Sequence, residues 1–66
     1  MPTVIIESWP LDKARKKDVI KKITDVFAGF GIPKEAVTVI IHEPPLDNWG
    51  SGGEVHSEKF KDMRKA

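Results

Sequence analysis

The residue whose type and place bear most directly on chemistry is the second. Met1 is followed by Pro2, and a small second residue permits removal of the initiator methionine, which would leave a secondary amine at the chain's start. An α-amino group titrates near ~7.7–8.0 before its surroundings act on it. Thr3 to Ile6 follow at once as an apolar, β-branched run. An apolar setting disfavours the ammonium form and moves such a nitrogen toward the free base at neutral pH. A base of this kind can take a proton from carbon or oxygen and return it elsewhere, so one residue serves as general acid and base. With Met1 attached, the same nitrogen is a tertiary amide without basicity.

Other chemistry finds less support. The chain has no cysteine, hence no thiol nucleophile, disulfide framework or thiolate metal site. It has no glycine-flanked serine elbow and no His-Glu-x-x-His zinc motif. Its two histidines, His42 and His56, are too few for a metal site within one subunit, and His42 reads as a strand residue packed or hydrogen-bonded at an interface. Gly50-Ser51-Gly52-Gly53 has the glycine content of a phosphate cradle but lacks the Gly-Lys-Ser/Thr ending. The helix-flanked GxxG loop of RNA-binding KH domains fits it no better, because a proline-broken loop precedes it. Lys13, Arg15, Lys16, Lys17, Lys21 and Lys22 crowd one stretch, but Asp12, Asp18 and Asp25 interrupt them, as on a solvated helix face. A net charge of +1 from 11 basic and 10 acidic residues supplies no field to draw nucleic acid or anionic lipid. The apolar runs are too short for a membrane span or signal peptide. The expected setting is reducing and cytoplasmic.

The elements that must hold Pro2 follow from pattern. Thr3 to Trp9 reads as a strand stopped by Pro10. Val19, Ile20, Ile23, Val26, Phe27 and Phe30 recur along one side of a helix. Asp12 suits its N-cap, Asp18 can pair with Lys22, and Gly29, Gly31 and Pro33 end it. Val37 to Glu43 forms a second strand, with Val39 and Ile41 on one face and Ile40 on the other, so both faces are expected to be covered. Pro44 and Pro45 break it, Asn48 to Gly53 turns, and Val55 to Ala66 is a mostly charged tail.

This predicts an α+β fold: a single domain over residues 1–66, built as a βαβ unit with two parallel strands, one right-handed crossover helix and a short C-terminal hairpin or strand. Two strands and one helix leave a bare sheet face and open edges. A chain of 66 residues is also below the ~70–80 at which one core usually suffices. Association is therefore expected, with the bare face on a neighbouring copy and Trp49 to Val55 pairing at a subunit boundary.

Met-Pro opening a strand, a helix of this length, Val37-Thr38-Val39-Ile40-Ile41-His42-Glu43, and Asn48-Trp49-Gly50 before Gly52-Gly53 together resemble the 4-oxalocrotonate tautomerase family. The similarity runs over residues 2 to 53. It implies a βαβ subunit in a homohexamer, a trimer of dimers, that needs no cofactor and no metal. It further implies that Pro2 is the catalytic base, moving a proton between oxygen and carbon of a small 2-oxo or enol acid. Trp49 matches the aromatic residue that makes the pocket apolar and lowers the proline's pKa.

Two arginines that hold a dicarboxylate in well-known members are missing. Their positions fall at Leu11, in a stretch one residue shorter than the usual pattern, and at Thr38. Arg15, one turn into the helix, could reach the mouth that Leu11 does not serve, Lys13 or Lys16 could act as cruder point charges, and Thr38 or His42, on one strand face, could offer a hydrogen bond. Loss of one oxyanion donor commonly costs about 10²–10³ in rate. The alternative is a non-catalytic assembly that keeps the fold without those arginines.

Overall fold

The computed structural model describes residues 2–60. Met1 and the end of the charged tail, residues 61–66, lie outside them. Strand β1 spans Thr3–Glu7, helix α1 Lys13–Ala28 and strand β2 Thr38–His42. The two strands are parallel neighbours, with Thr3 opposite Thr38 and Glu7 opposite His42. This is the expected βαβ unit. Both strands are shorter than the sequence pattern, because Pro10 and Pro44 are close, and at that end one bond, from the Ser8 N–H to the His42 carbonyl at 2.9 Å, extends the ladder.

The ends of α1 are set by local chemistry. Asp12 accepts the Arg15 N–H at 2.7 Å and so satisfies one of the first unpaired donors. At the other end, the Gly31 N–H reaches the Ala28 carbonyl and the Ile32 N–H the Phe27 carbonyl, with Gly31 at φ 87°. That pair of bonds is a Schellman stop. Gly31, rather than Gly29, is the glycine the stop requires, since Gly29 is right-handed. Asp18 and Lys22 pair at 2.8 Å, as the spacing predicts. A 3-10 turn at Lys34–Ala36 leads into β2.

Period two sorts the strands: Val4, Ile6, Val39 and Ile41 are half-buried, while Thr3, Ile5, Glu7, Thr38, Ile40 and His42 form an exposed face. The helix stripe is split in the same way. Val19, Ile23 and Phe27 are half-buried, but Ile20, Val26 and Phe30 stay open, Phe30 at 76%. A two-stranded sheet is too narrow to cover the whole stripe. Among the described residues only Leu46 is buried, and it keeps 8% of its surface exposed. The Cα radius of gyration is 14.9 Å, against ~11 Å for a self-contained domain of this length.

The segment after β2 forms the short C-terminal hairpin that the sequence predicts, with a turn on either side of it. A 3-10 turn at Leu46–Asn48 precedes strand β3, Gly50–Ser51, which pairs antiparallel with β4, Glu54–Val55. Gly52 at φ 60° and Gly53 at φ 80° make the two-residue turn, whose twist suits a hairpin and calls for positive φ at both places. Val55 belongs to this hairpin, and His56–Lys59 forms a helical turn, α2, so the tail begins as structure. His56 and Phe60, one turn apart, provide the reason: both pack on tryptophan.

Candidate active site

Pro2 is half-buried and immediately precedes β1. Its carbonyl accepts the Thr38 N–H at 3.0 Å, which ties it to the start of β2. Pro2 and Thr38 are thus brought together at the amino ends of the strands. The Thr38 side chain stands on the exposed sheet face that His42 shares. There His42 Nδ1 lies 2.7 Å from Glu7 Oε2, its cross-strand partner.

The remaining candidates gather at the carboxyl ends. Leu11 lies between β1 and α1, and its N–H meets Glu43 Oε2 at 2.6 Å. Glu43 Oε1 also holds Lys16 Nζ at 2.6 Å. Hydrogen bonds from the Lys16 ammonium and then the Leu11 N–H keep the Glu43 carboxyl below its ordinary range, opposed by burial and aided last by the Lys16 charge. Lys16 is therefore already engaged. Arg15 lies in the first turn of α1 with Nε 3.7 Å from Asp12 Oδ2, largely exposed. Lys13 is exposed beside it.

Trp49 is half-buried, and its Nε1–H donates to the Pro44 carbonyl at 3.0 Å, just beyond β2. Pro44 follows Thr38 by six residues, or about 20 Å of extended chain. Within one chain, Pro2 and Trp49 therefore occupy opposite ends of the sheet. Leu11, Arg15 and Trp49 share an end, whereas Pro2 and Thr38 share the other.

An aromatic cluster surrounds Trp49 that the sequence pattern does not single out. His56 stacks on it with ring centroids 5.9 Å apart and planes 15° from parallel. Trp9 and Phe60 meet the His56 ring edge-on at 5.5 and 5.0 Å. The Trp9 Nε1–H donates to His56 Nδ1 at 3.2 Å, and Ser51 Oγ lies 3.0 Å from His56 Nε2. The spacing of His56 and Phe60 at i and i+4 was the available signal, masked by the charged residues between and after them. Among the described residues, no three His, Asp or Glu side chains converge as a metal would require, and no helix is long and apolar enough to cross a membrane.

Comparison with known proteins agrees with this architecture. The family model described as tautomerase enzyme matches residues 2–59. A 4-oxalocrotonate tautomerase homologue superposes with a TM-score of 0.81 at 25% identity, covering 88% of this chain and 95% of the other. DmpI from Archaeoglobus fulgidus gives a TM-score of 0.76 at 34% identity, covering 86% and 100%. A 4-oxalocrotonate tautomerase isozyme structure from Methylibium petroleiphilum gives 0.72 at 38%, covering 82% and 90%. Comparison with curated proteins returned no match. A parallel βαβ unit with a glycine-turned hairpin, matched over nearly its whole length, places the chain in the tautomerase family, with a function of the tautomerase type.

Proposed function

We propose that the chain, once Met1 is removed, is a cofactor-independent cytoplasmic tautomerase in which the Pro2 nitrogen is the general base. The observation that carries this reading is the setting of Pro2: half-buried, and held through its carbonyl alone at the head of an apolar strand. The carbonyl bond leaves the ring nitrogen out of the ladder. As a free secondary amine it takes the proton from the hydroxyl of a small enol acid, or from the carbon of its 2-oxo form, and returns it at the other atom. Bonds and protons balance without an external reagent.

An apolar wall is needed to hold that nitrogen unprotonated, and Trp49 is the residue for it. With Pro2 at the amino end of the ladder and Trp49 bonded to Pro44 beyond its carboxyl end, a site that holds both is one built from two copies. The exposed sheet face with Ile5 and Ile40, and the open Ile20, Val26 and Phe30 of α1, are the surfaces such an assembly covers. The resemblance to 4-oxalocrotonate tautomerase supports a homohexamer, a trimer of dimers, as that assembly. Thr38, beside Pro2, offers the substrate a hydrogen bond, and Arg15, next to the Leu11 loop, offers exposed charge for a carboxylate.

A second reading has its own observation. Leu11 and Thr38 stand where substrate-holding arginines are expected, and Lys16 is taken up by Glu43. A non-catalytic assembly would need nothing more. One experiment separates the two: the mass of the processed protein is measured, and ketonisation of aryl and dicarboxylic enol acids is followed for it and for Pro2→Ala. A loss of about 10²–10⁴ in rate on substitution is expected for a general base. Equal rates would remove Pro2 from the mechanism, and no turnover of any enol acid by an intact assembly would favour the second reading.

A further inference from the structure

We propose that His56 is the positioning residue for Trp49, fixing the plane of the indole against which substrate is held. This rests on the reading of Trp49 as a wall of the Pro2 site. Trp49 has one side-chain hydrogen bond, from Nε1 to the Pro44 carbonyl. A bond at one atom leaves the indole free to swing about it. The His56 ring removes that freedom by lying 15° from parallel to the indole, while the His56 N–H bonds the Trp49 carbonyl at 2.8 Å. Backbone and ring thus fasten the same two residues to each other.

The orientation of His56 is itself determined. A tryptophan indole nitrogen can only donate, so His56 Nδ1 accepts from Trp9. In the neutral ring the proton is then on Nε2, which faces Ser51 Oγ. Bonds at both nitrogens fix the imidazole plane, and Phe60 closes its edge at 5.0 Å. A phenyl ring here would keep the stack but lose both anchors. The sequence Trp9, His56, Trp49 therefore runs from the end of β1 to the pocket wall, and Ser51 adds the hairpin to it.

The test uses fluorotryptophan-labelled protein, whose two tryptophans give separate fluorine NMR signals, assigned through Trp9→Phe. In His56→Ala the Trp49 signal is expected to move or broaden, and kcat/KM on an enol acid to fall about tenfold to a hundredfold, the scale of an ångström-sized misplacement. His56→Phe should recover part of both. Ser51→Ala, which withdraws one anchor and leaves the ring, should shift both in the same direction by less, and it decides the matter if His56→Ala does not fold. An unmoved Trp49 signal, or a moved signal with unchanged kcat/KM, would overturn the proposal. Absence of turnover in the unsubstituted protein would refute the proposed function instead, and the Trp49 signal would still report whether His56 orients the indole.

Discussion

Replacing Ile5 by aspartate puts the association argument at greatest risk. Ile5 lies at the centre of β1 opposite Ile40, and 56% of it is exposed in the single chain. Complete burial of an isoleucine side chain is worth roughly 1.5–3 kcal/mol, so about 1–1.5 kcal/mol of that remains for a neighbouring copy to supply. Aspartate forfeits this and adds a carboxylate, too short to reach water, whose desolvation costs several kcal/mol even after relaxation. A loss of at least ~4 kcal/mol per contact weakens association by about 10³. Sedimentation or light scattering across a dilution series measures it directly. Ile5→Val, which trims one methyl group, should leave the assembly nearly unchanged. If Ile5→Asp keeps the parent mass over the same dilutions, the exposed sheet face is open to water and the burial argument fails.

Other expectations concern single residues. Gly53→Ala meets no atom within 4 Å but must hold φ 80°, so about 1–2 kcal/mol of backbone strain should lower the thermal midpoint by several degrees at fixed protein concentration. Glu43→Gln should lower the urea midpoint at neutral pH. Because folding depresses the Glu43 pKa, its stabilisation is present above the ordinary carboxylate range and is lost as pH falls through the depressed value; the gap between the two proteins should close in acid and persist in base. Pro2→Ala and Trp49→Ala, each inactive alone, should regain turnover when unfolded together and reassembled, since some sites then receive an intact Pro2 and an intact Trp49. No recovery would show that both residues act from one chain.

The βαβ core was legible because each element is specified locally. Alternating burial in Val4 to Ile6 and Val39 to Ile41, the Asp12 cap and the Gly31 stop act within a few residues, and short-range pattern reports such things. The C-terminal cluster was not legible, since Trp9 and His56 meet across 47 positions of sequence and only the folded ladder brings them together. Glu43 was read merely as the last residue of a strand for the same reason: its partners, Leu11 and Lys16, come from the far side of the crossover. The helix stripe was read correctly as one apolar side, but spacing alone does not reveal that Val26 and Phe30 overhang the sheet. For Pro2 and Trp49, residue type was legible and separation was not, because the parallel ladder is what sends them to opposite ends.

That separation has a consequence for the living cell. If proline and indole come from different polypeptides, turnover per molecule depends on how many molecules are present, and at low concentration unassembled chains would stand idle. Output would then rise more steeply than gene dosage until subunits saturate one another, giving a threshold without any regulator.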